Sequence, residues 1–446
     1  MTENHYLSGN FAPVAEELTA FDLPVTGTLP EGLDGRLLRI GPNPVAPDPA
    51  NYHWFTGNGM VHGLRLRDGR AEWYRRRYVR DDEVVAVRGG PPVPGPQHGQ
   101  IGDGVVNTNV IGHAGRTFAL VEAGSVPVEL DYELETVSRS DFGGTLPGGF
   151  TAHPKRDPDT GELHACAYWF GWDHIQHVVV GTDGKVRRTV DVPLEGKPMI
   201  HDCSITENWF VFLDLPVVFD PQMIMDGHKL PYRWEPDRPA RVGLLPRNGE
   251  ASEVVYAEVE PCFAFHYLNS YEDSDGRVVL DVVRHPRMFA TDLLGPNEGA
   301  ATLDRWLVDP KGGPVKETRL DDHGQEFPRM DERRIGKRHR YGYGAGLQMG
   351  AEVAGGLLKH DVDRVTTEVY QEGAHRQFME PVFVPRSADA DEDDGWVLAY
   401  VHDAGTNKAD VIVLHVQDMA AGPVATVHLP DRVPFGFHCN WVPDEA

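Results

Sequence analysis

The stretch "HVVVGTDGKVRRTVDV" (177–192) decides the fold class. Two β-branched runs of strand length flank Asp183-Gly184, a dipeptide that turns an antiparallel pair back on itself because glycine takes the positive φ such turns need. The same grammar recurs in "RTFALVEAG" (116–124), "NWFVFLDL" (208–215), "RVVLDVVR" (277–284, directly after Asp275-Gly276), "GWVLAYVHD" (395–403) and "DVIVLHV" (410–416). Helical signals are scarce: "PQMIMDGHKLP" (221–231) holds at most one short helix, limited by Gly227 and its flanking prolines. A chain of 446 residues is too long for one ordinary core, and its 35 prolines and 48 glycines form no block that reads as a linker. The expectation is an all-β repeat architecture, a propeller of four-stranded blades.

The formal charge of -26 excludes binding to nucleic-acid backbones, which depends on lysine and arginine displacing counterions. The basic run "RRIGKRHR" (333–340) is expected to be a solvated loop. "MTENHYLSGNF" at the start has no basic segment followed by an apolar one, and no window approaches the roughly 18 apolar residues of a spanning helix, so a cytoplasmic protein is expected. Cys166, Cys203, Cys262 and Cys439 lie far apart without paired spacing, as buried free thiols do in a reducing compartment. Nothing sets an oligomeric state, and a monomer is the expectation.

Of the 21 histidines, four stand at the edge of strand-like or aromatic runs: His153 in "GGFTAHPKRDP", His201 in "KPMIHDCS", His266 in "CFAFHYLN" and His438 in "FGFHCN". No local motif could join residues so distant in sequence. A propeller could, because the innermost strand of each blade faces one axis. Four neutral imidazoles on that axis suit a divalent ion of the iron, copper or zinc type, and on an octahedral ion they leave two positions open. A competing reading is a zinc site of histidine and cysteine, since strand alternation could turn Cys203 the same way as His201 and Cys262 the same way as His266.

With these segments in hand, the chain resembles the carotenoid cleavage oxygenases, non-haem iron enzymes that split carotenoids, apocarotenoids and stilbenes. The resemblance runs nearly end to end, from "LDGRLLRIGPNP" (33–44) and "YHWFTGNGMVHGLRL" (52–66) through the four histidine segments to "FGFHCNW" (435–441). By themselves Gly57-Asn58-Gly59 would mean a hairpin, and "GYGAGLQMG" (342–350) a weak nucleotide loop without a helix behind it. The resemblance implies a single domain over 1–446, a seven-bladed propeller with a helical or loop dome over one face, residues 1–30 packing on it as an arm. It implies Fe(2+) held by His153, His201, His266 and His438, with Glu122, Glu326 and Glu380 as outer carboxylates fixing the imidazoles. Thr108 matches a position that in some relatives lies near an open iron site. The C-terminal segment would then be tied down as the source of the last ligand, with a short tail past Trp441 dispensable.

The implied reaction inserts O2 across a conjugated C=C bond and releases two carbonyl products, without an organic cofactor. Trp169, Phe170, Trp172, Phe210, Phe212, Phe263 and Phe265 are candidates to line an apolar tunnel, and "LPVVFDPQMIM" (215–225) is the candidate for a peripheral membrane contact. Stilbene-cleaving relatives hold the substrate phenol with a lysine just before the first outer glutamate and an upstream tyrosine. Here Val121 precedes Glu122, and Arg88, Tyr74 or Tyr78 lies where the tyrosine would be sought. That favours a carotenoid or apocarotenoid substrate over a stilbenoid or phenylpropenoid. Other readings are a non-catalytic propeller binding a lipid or partner and an isomerase on the same centre.

Overall fold

The computed structural model describes residues 4–97, 104–296, 298–347 and 354–444. Their strands form seven antiparallel sheets, the blades of a propeller, and one small two-stranded sheet, Val217–Phe219 with Tyr232–Trp234. Blade 2 runs through Asn109–His113, Arg116–Leu120, Val128–Leu130 and Thr136–Arg139; blade 3 through Lys155–Arg156, Leu163–Ala167, His174–Val180 and Val186–Pro193. Blade 4 is Cys203–Ile205, Trp209–Asp214, Ala240–Pro246 and Val255–Val259, and blade 5 is Tyr267–Glu272, Val278–Arg284, Thr302–Val308 and Lys316–Asp321. Blade 6 is Gln325–Arg329, Tyr341–Leu347, Ala354–Asp361 and Thr366–Tyr370.

The burial of each strand follows from its place in a blade. Middle strands are covered on both faces by neighbouring blades, so Gly395–Asp403 is buried from end to end except at Asp403. Outer strands keep one face in water, and Val186–Pro193 shows the alternation expected there. The two Asp-Gly turns are built alike: Gly184 (φ +74°) donates to the Gly181 carbonyl at 2.9 Å, and Gly276 (φ +77°) to that of Asp273 at 3.0 Å. A side chain would be strained at either φ.

Both chain ends close the ring. In blade 7, Arg376–Phe378 and Val382–Pro385 pair one after the other along one edge of Gly395–Asp403, Lys408–His415 and Ala425–His428 follow on the other, and the outermost strand is Val25–Gly27 from the N-terminal region. In blade 1, Gly35–Pro42, Gly59–Arg67 and Arg70–Tyr78 carry Leu18–Phe21 on the outside and Cys439–Pro443 on the inside. Three stretches that carry the family resemblance are therefore adjacent strands of one sheet. Gly57-Asn58-Gly59 is not a hairpin turn. A Cβ on Gly59 would run into the Val106 carbonyl, and the Asn58 amide donates to Asp81 at 2.9 Å.

Helix is sparse, the two α-helices among the described residues being Asp82–Arg88 and Pro221–Met225. The segment 342–347 lies in the second strand of blade 6, while 348–350 fall outside the described residues. The basic run is tied to acids: Lys337 pairs with Asp159, Arg338 with Asp363 and Arg340 with Asp361, and His339 is buried against Asp281.

The tail past Trp441 is part of the closure. Val442 and Pro443 are in register with Arg36 and Gly35, and Asp444 lies 2.8 Å from Arg65, a guanidinium with only 1% of its side chain exposed. Ending the chain after Trp441 is expected to cost about 1–3 kcal/mol, since it leaves a buried donor short of an acceptor. A thermal melt of the truncated protein should show a lower midpoint, and an unchanged one would mean that closure is complete at Trp441.

Candidate metal centre

The four histidines chosen from the sequence meet on the axis. Each precedes an innermost strand: His153 that of blade 3, His201 that of blade 4, His266 that of blade 5 and His438 the C-terminal strand of blade 1. Their ligand atoms lie within 4.8 Å of one another, and all four rings are buried. Thr108 stands at the equivalent point of blade 2, where its carbonyl accepts the His438 backbone N–H at 3.2 Å. Glu122 follows the second strand of blade 2, Glu326 lies on the first strand of blade 6 and Glu380 between the inner strands of blade 7. Every blade thus contributes one of the four histidines and three glutamates named from the sequence, and blade 2 carries Thr108 as well.

The carboxylates decide what the imidazoles can do. Nδ1 of His201 lies 2.8 Å from Glu122, that of His266 2.6 Å from Glu326 and that of His438 3.0 Å from Glu380. A carboxylate accepts, so each Nδ1 carries the proton and each Nε2 presents a bare lone pair. Those lone pairs point at one another: Nε2 of His266 is 3.3 Å from that of His201 and 3.2 Å from that of His438. Nε2 of His153 is buried without a hydrogen-bond partner. Converging lone pairs repel unless a cation lies between them. Nitrogens about 2.1 Å from one ion, at ligand angles between about 90° and tetrahedral, stand about 3.0–3.4 Å apart. The donor set therefore fits a divalent transition metal, and these four residues could bind one.

Burial, with the neighbouring imidazoles, holds His153 well below the ordinary histidine range, and burial also lowers His438. For His201 burial works against the charged ring, but the Glu122 carboxylate outweighs it and raises the group. Burial alone would push Glu326 and Glu380 upward, yet both are held low, Glu326 by His266 and His285 and Glu380 by His438 and Arg329. Arg329 also donates to the Cys439 carbonyl at 2.7 Å and pairs with Glu332. Neither Arg329 nor His285 was singled out in the sequence. His285 stands between arginines in "VRHPRMF", past the end of a strand rather than at the start of one.

Two cavities meet at the centre. One of about 990 Å³ reaches His201, His266 and His438, and its walls include Tyr6, Trp54, Phe55, Phe170, Phe265 and Phe435. The other, about 670 Å³, reaches His153, His266 and His438 from among Asn109, Lys155, Asp202 and Asn440. The histidines form the partition between an apolar space and a polar one.

A profile described as Retinal pigment epithelial membrane protein matches residues 11–443. The carotenoid cleavage oxygenase of Mycobacterium tuberculosis is 45% identical, over 99% of this chain and 98% of its own. The carotenoid 9,10(9',10')-cleavage dioxygenase of Crocus sativus is 34% identical over 99% of this chain and 89% of its own. The crystal structure of Pseudomonas brassicacearum lignostilbene dioxygenase superposes with a TM-score of 0.90 at 30% identity, covering all of both chains.

The chain belongs to this family. Within it, several details of the site differ from what the sequence suggested. Of the candidate tunnel aromatics, Phe170 and Phe265 line the apolar cavity, while Phe210, Phe212 and Phe263 pack in the core. Trp54 and Phe55 from "YHWFTGNGMVHGLRL" and Phe435 from "FGFHCNW" complete the wall. Cys203 turns away from the histidine ring cluster, donating its thiol toward the His153 and His164 carbonyls, and burial pushes it up to about 12. Among the described residues the group that could hold a metal is the four histidines without a cysteine, so the structure does not offer the histidine–cysteine zinc site. Tyr74 is bound to His62, Tyr78 to Asn43, and Arg88 to Glu16, and none of them borders the apolar cavity, whereas Val121, Tyr168 and Tyr232 do.

In "LPVVFDPQMIM" the residues Leu215, Val217 and Val218 are buried and Phe219 stacks on Phe170, so the exposed apolar surface shrinks to Ile224 and Met225. Among the described residues no helix is long and apolar enough to cross a membrane.

Glu326→Gln and Glu380→Gln should each weaken metal binding by about 10–100-fold, because an amide can turn its NH2 toward Nδ1 and no longer fixes the tautomer. A competitive Co2+ titration measures this directly. Wild-type affinity in both variants would make the carboxylates structural.

Proposed function

We propose that this protein is an Fe(II)-dependent dioxygenase that cleaves a conjugated C=C bond of a carotenoid or apocarotenoid with O2, each product taking one oxygen atom as a carbonyl. The observation that carries the reading is the set of four buried imidazoles with converging lone pairs at the end of an apolar cavity. His153, His201, His266 and His438 would hold the iron, and Glu122, Glu326 and Glu380 would fix three of the rings. When bound, iron supplies the redox chemistry that activates O2.

The chain's own residues bind and orient the polyene. Phe55, Phe265 and Phe435 offer apolar and aromatic walls to a molecule with no polar handle, and in excluding water they select by shape and depth which double bond reaches the histidines. Thr108 would border the open side of the centre. No protein nucleophile or acid–base pair is needed.

Names of the relatives support the substrate class: the 45% identical protein is a carotenoid cleavage oxygenase. A second reading, cleavage of a stilbenoid, draws on the match to a lignostilbene dioxygenase. Val121 weighs against it, because a valine in the position before Glu122 can donate nothing to a phenol; Lys229 and Arg39 line the same cavity as its charged donors. Residues 1–446 would act as one domain, with Ile224 and Met225 as the point of peripheral contact with a membrane that supplies the substrate.

Iron-loaded protein incubated with labelled O2 and a panel of carotenoids, apocarotenoids and 4-hydroxystilbenes should give labelled carbonyl products from the first two classes. Rapid cleavage of the stilbenes alone would overturn the substrate assignment, and turnover without label would overturn the dioxygenase. Val121→Lys should lower polyene turnover and raise that of hydroxystilbenes in the same assay.

A further inference from the structure

The three carboxylates are not held alike. Glu122 has one oxygen on His201, and its Oε2 is buried without a hydrogen-bond partner. Glu380 is engaged at both oxygens, by His438 and Arg329 at Oε1 and by the Cys439 backbone N–H at Oε2. Glu326 alone bridges two imidazoles: Oε2 accepts from His266 Nδ1 at 2.6 Å and from the Phe327 N–H at 2.8 Å, and Oε1 accepts from His285 Nε2 at 2.6 Å.

We infer that His285 is a positioning residue of the metal centre. The inference rests on the four histidines being the metal ligands. By occupying Oε1, His285 fixes the plane of the Glu326 carboxylate, and that plane aims Oε2 at His266 Nδ1 and so the His266 lone pair at the ion. The ring is well placed for this. Its backbone is locked independently, in an isolated bridge in which His285 donates to the Phe263 carbonyl at 2.7 Å and accepts from the Phe263 N–H at 2.9 Å. Because that bridge is made by main-chain atoms, the fold does not require an imidazole here. On its other side the ring meets Phe265 edge-on at 5.4 Å, and Phe265 in turn meets His201 at 4.9 Å and lines the apolar cavity. One side chain thus braces a ligand's carboxylate and the wall beside a second ligand.

The test is Co2+ binding by the full chain, followed by absorption, with thermal melts of the metal-free proteins. His285→Leu removes the donor and should weaken Co2+ binding by about 10–100-fold, the range for an outer partner of a metal ligand. His285→Gln keeps an N–H donor and should bind close to wild type. In a Glu326→Gln background the His285→Leu change should add nothing, because its route to the metal is already cut. Wild-type affinity in His285→Leu, or an equal loss in both backgrounds, would overturn the role. If His285→Leu fails to fold, recovery of both folding and affinity in His285→Gln supports it, and recovery of folding with affinity still lost overturns it. Failure of wild type to take up about one Co2+ per chain would instead overturn the reading of the centre itself.

Discussion

An imidazole is held with a lone pair turned inward when an acceptor outside takes the proton on its other nitrogen, and three of the four rings at the centre of this protein are held in that way. A buried carboxylate is the simplest acceptor, but it brings a charge into a low-dielectric interior where it must be partnered. Glu326 finds His285 and the Phe327 N–H; Glu380 finds Arg329 and the Cys439 N–H. Arg329 then requires acceptors of its own and meets Glu332, Asn440 and the Cys439 carbonyl. The polar core is a set of nested obligations, each layer present because the one inside it would otherwise be unsatisfied.

The propeller makes this possible because the inner strands of four blades bring residues distant in sequence together on one axis. His153, His201, His266 and His438 occupy equivalent places before inner strands, so a single repeated geometry replaces the local spacing that metal motifs on helices rely on. The position of His438 further requires that the C-terminal strand belong to the first blade. Backbone bonds fix it there: Ile40 donates to the His438 carbonyl at 3.0 Å and Phe437 to that of Ile40 at 3.0 Å. Arg39, buried in the next strand, donates to the Pro434 carbonyl at 2.9 Å and holds the approach to the ligand. The strand that closes the ring is also the one that brings His438 to the other three histidines.

What could be read from the sequence follows from how locally each feature is determined. Hairpins were legible because strand runs and the Asp-Gly turns lie side by side in the chain, and the four histidines because each sits at the edge of a strand-like or aromatic run. Identity of the outer glutamates came only with the family resemblance, since Glu122 and Glu380 become recognisable when strands far apart in sequence bring them to Nδ1. His285 was missed for the same reason: its partner is 41 residues away, and its neighbours are arginines. Phe210 and Phe212 looked as suitable for a tunnel as Phe265. Their strand turns them into the core of blade 4, whereas Phe265 lies in irregular chain that opens onto the cavity.

His153 sets the remaining asymmetry. It has none of the three carboxylates, and its neutrality comes from burial and from the three rings around it. It is also the ring that faces the polar cavity and not the apolar one, while His201 faces only the apolar side. The ligands braced by charge are those exposed to the space where a bulky apolar molecule would press on them. His153, which has no such brace, borders the other cavity beside Pro154, its backbone N–H donating to Thr151 at 3.2 Å. The carboxylate braces are thus concentrated on the three rings that border the apolar cavity, the rings on which anything filling that space would press.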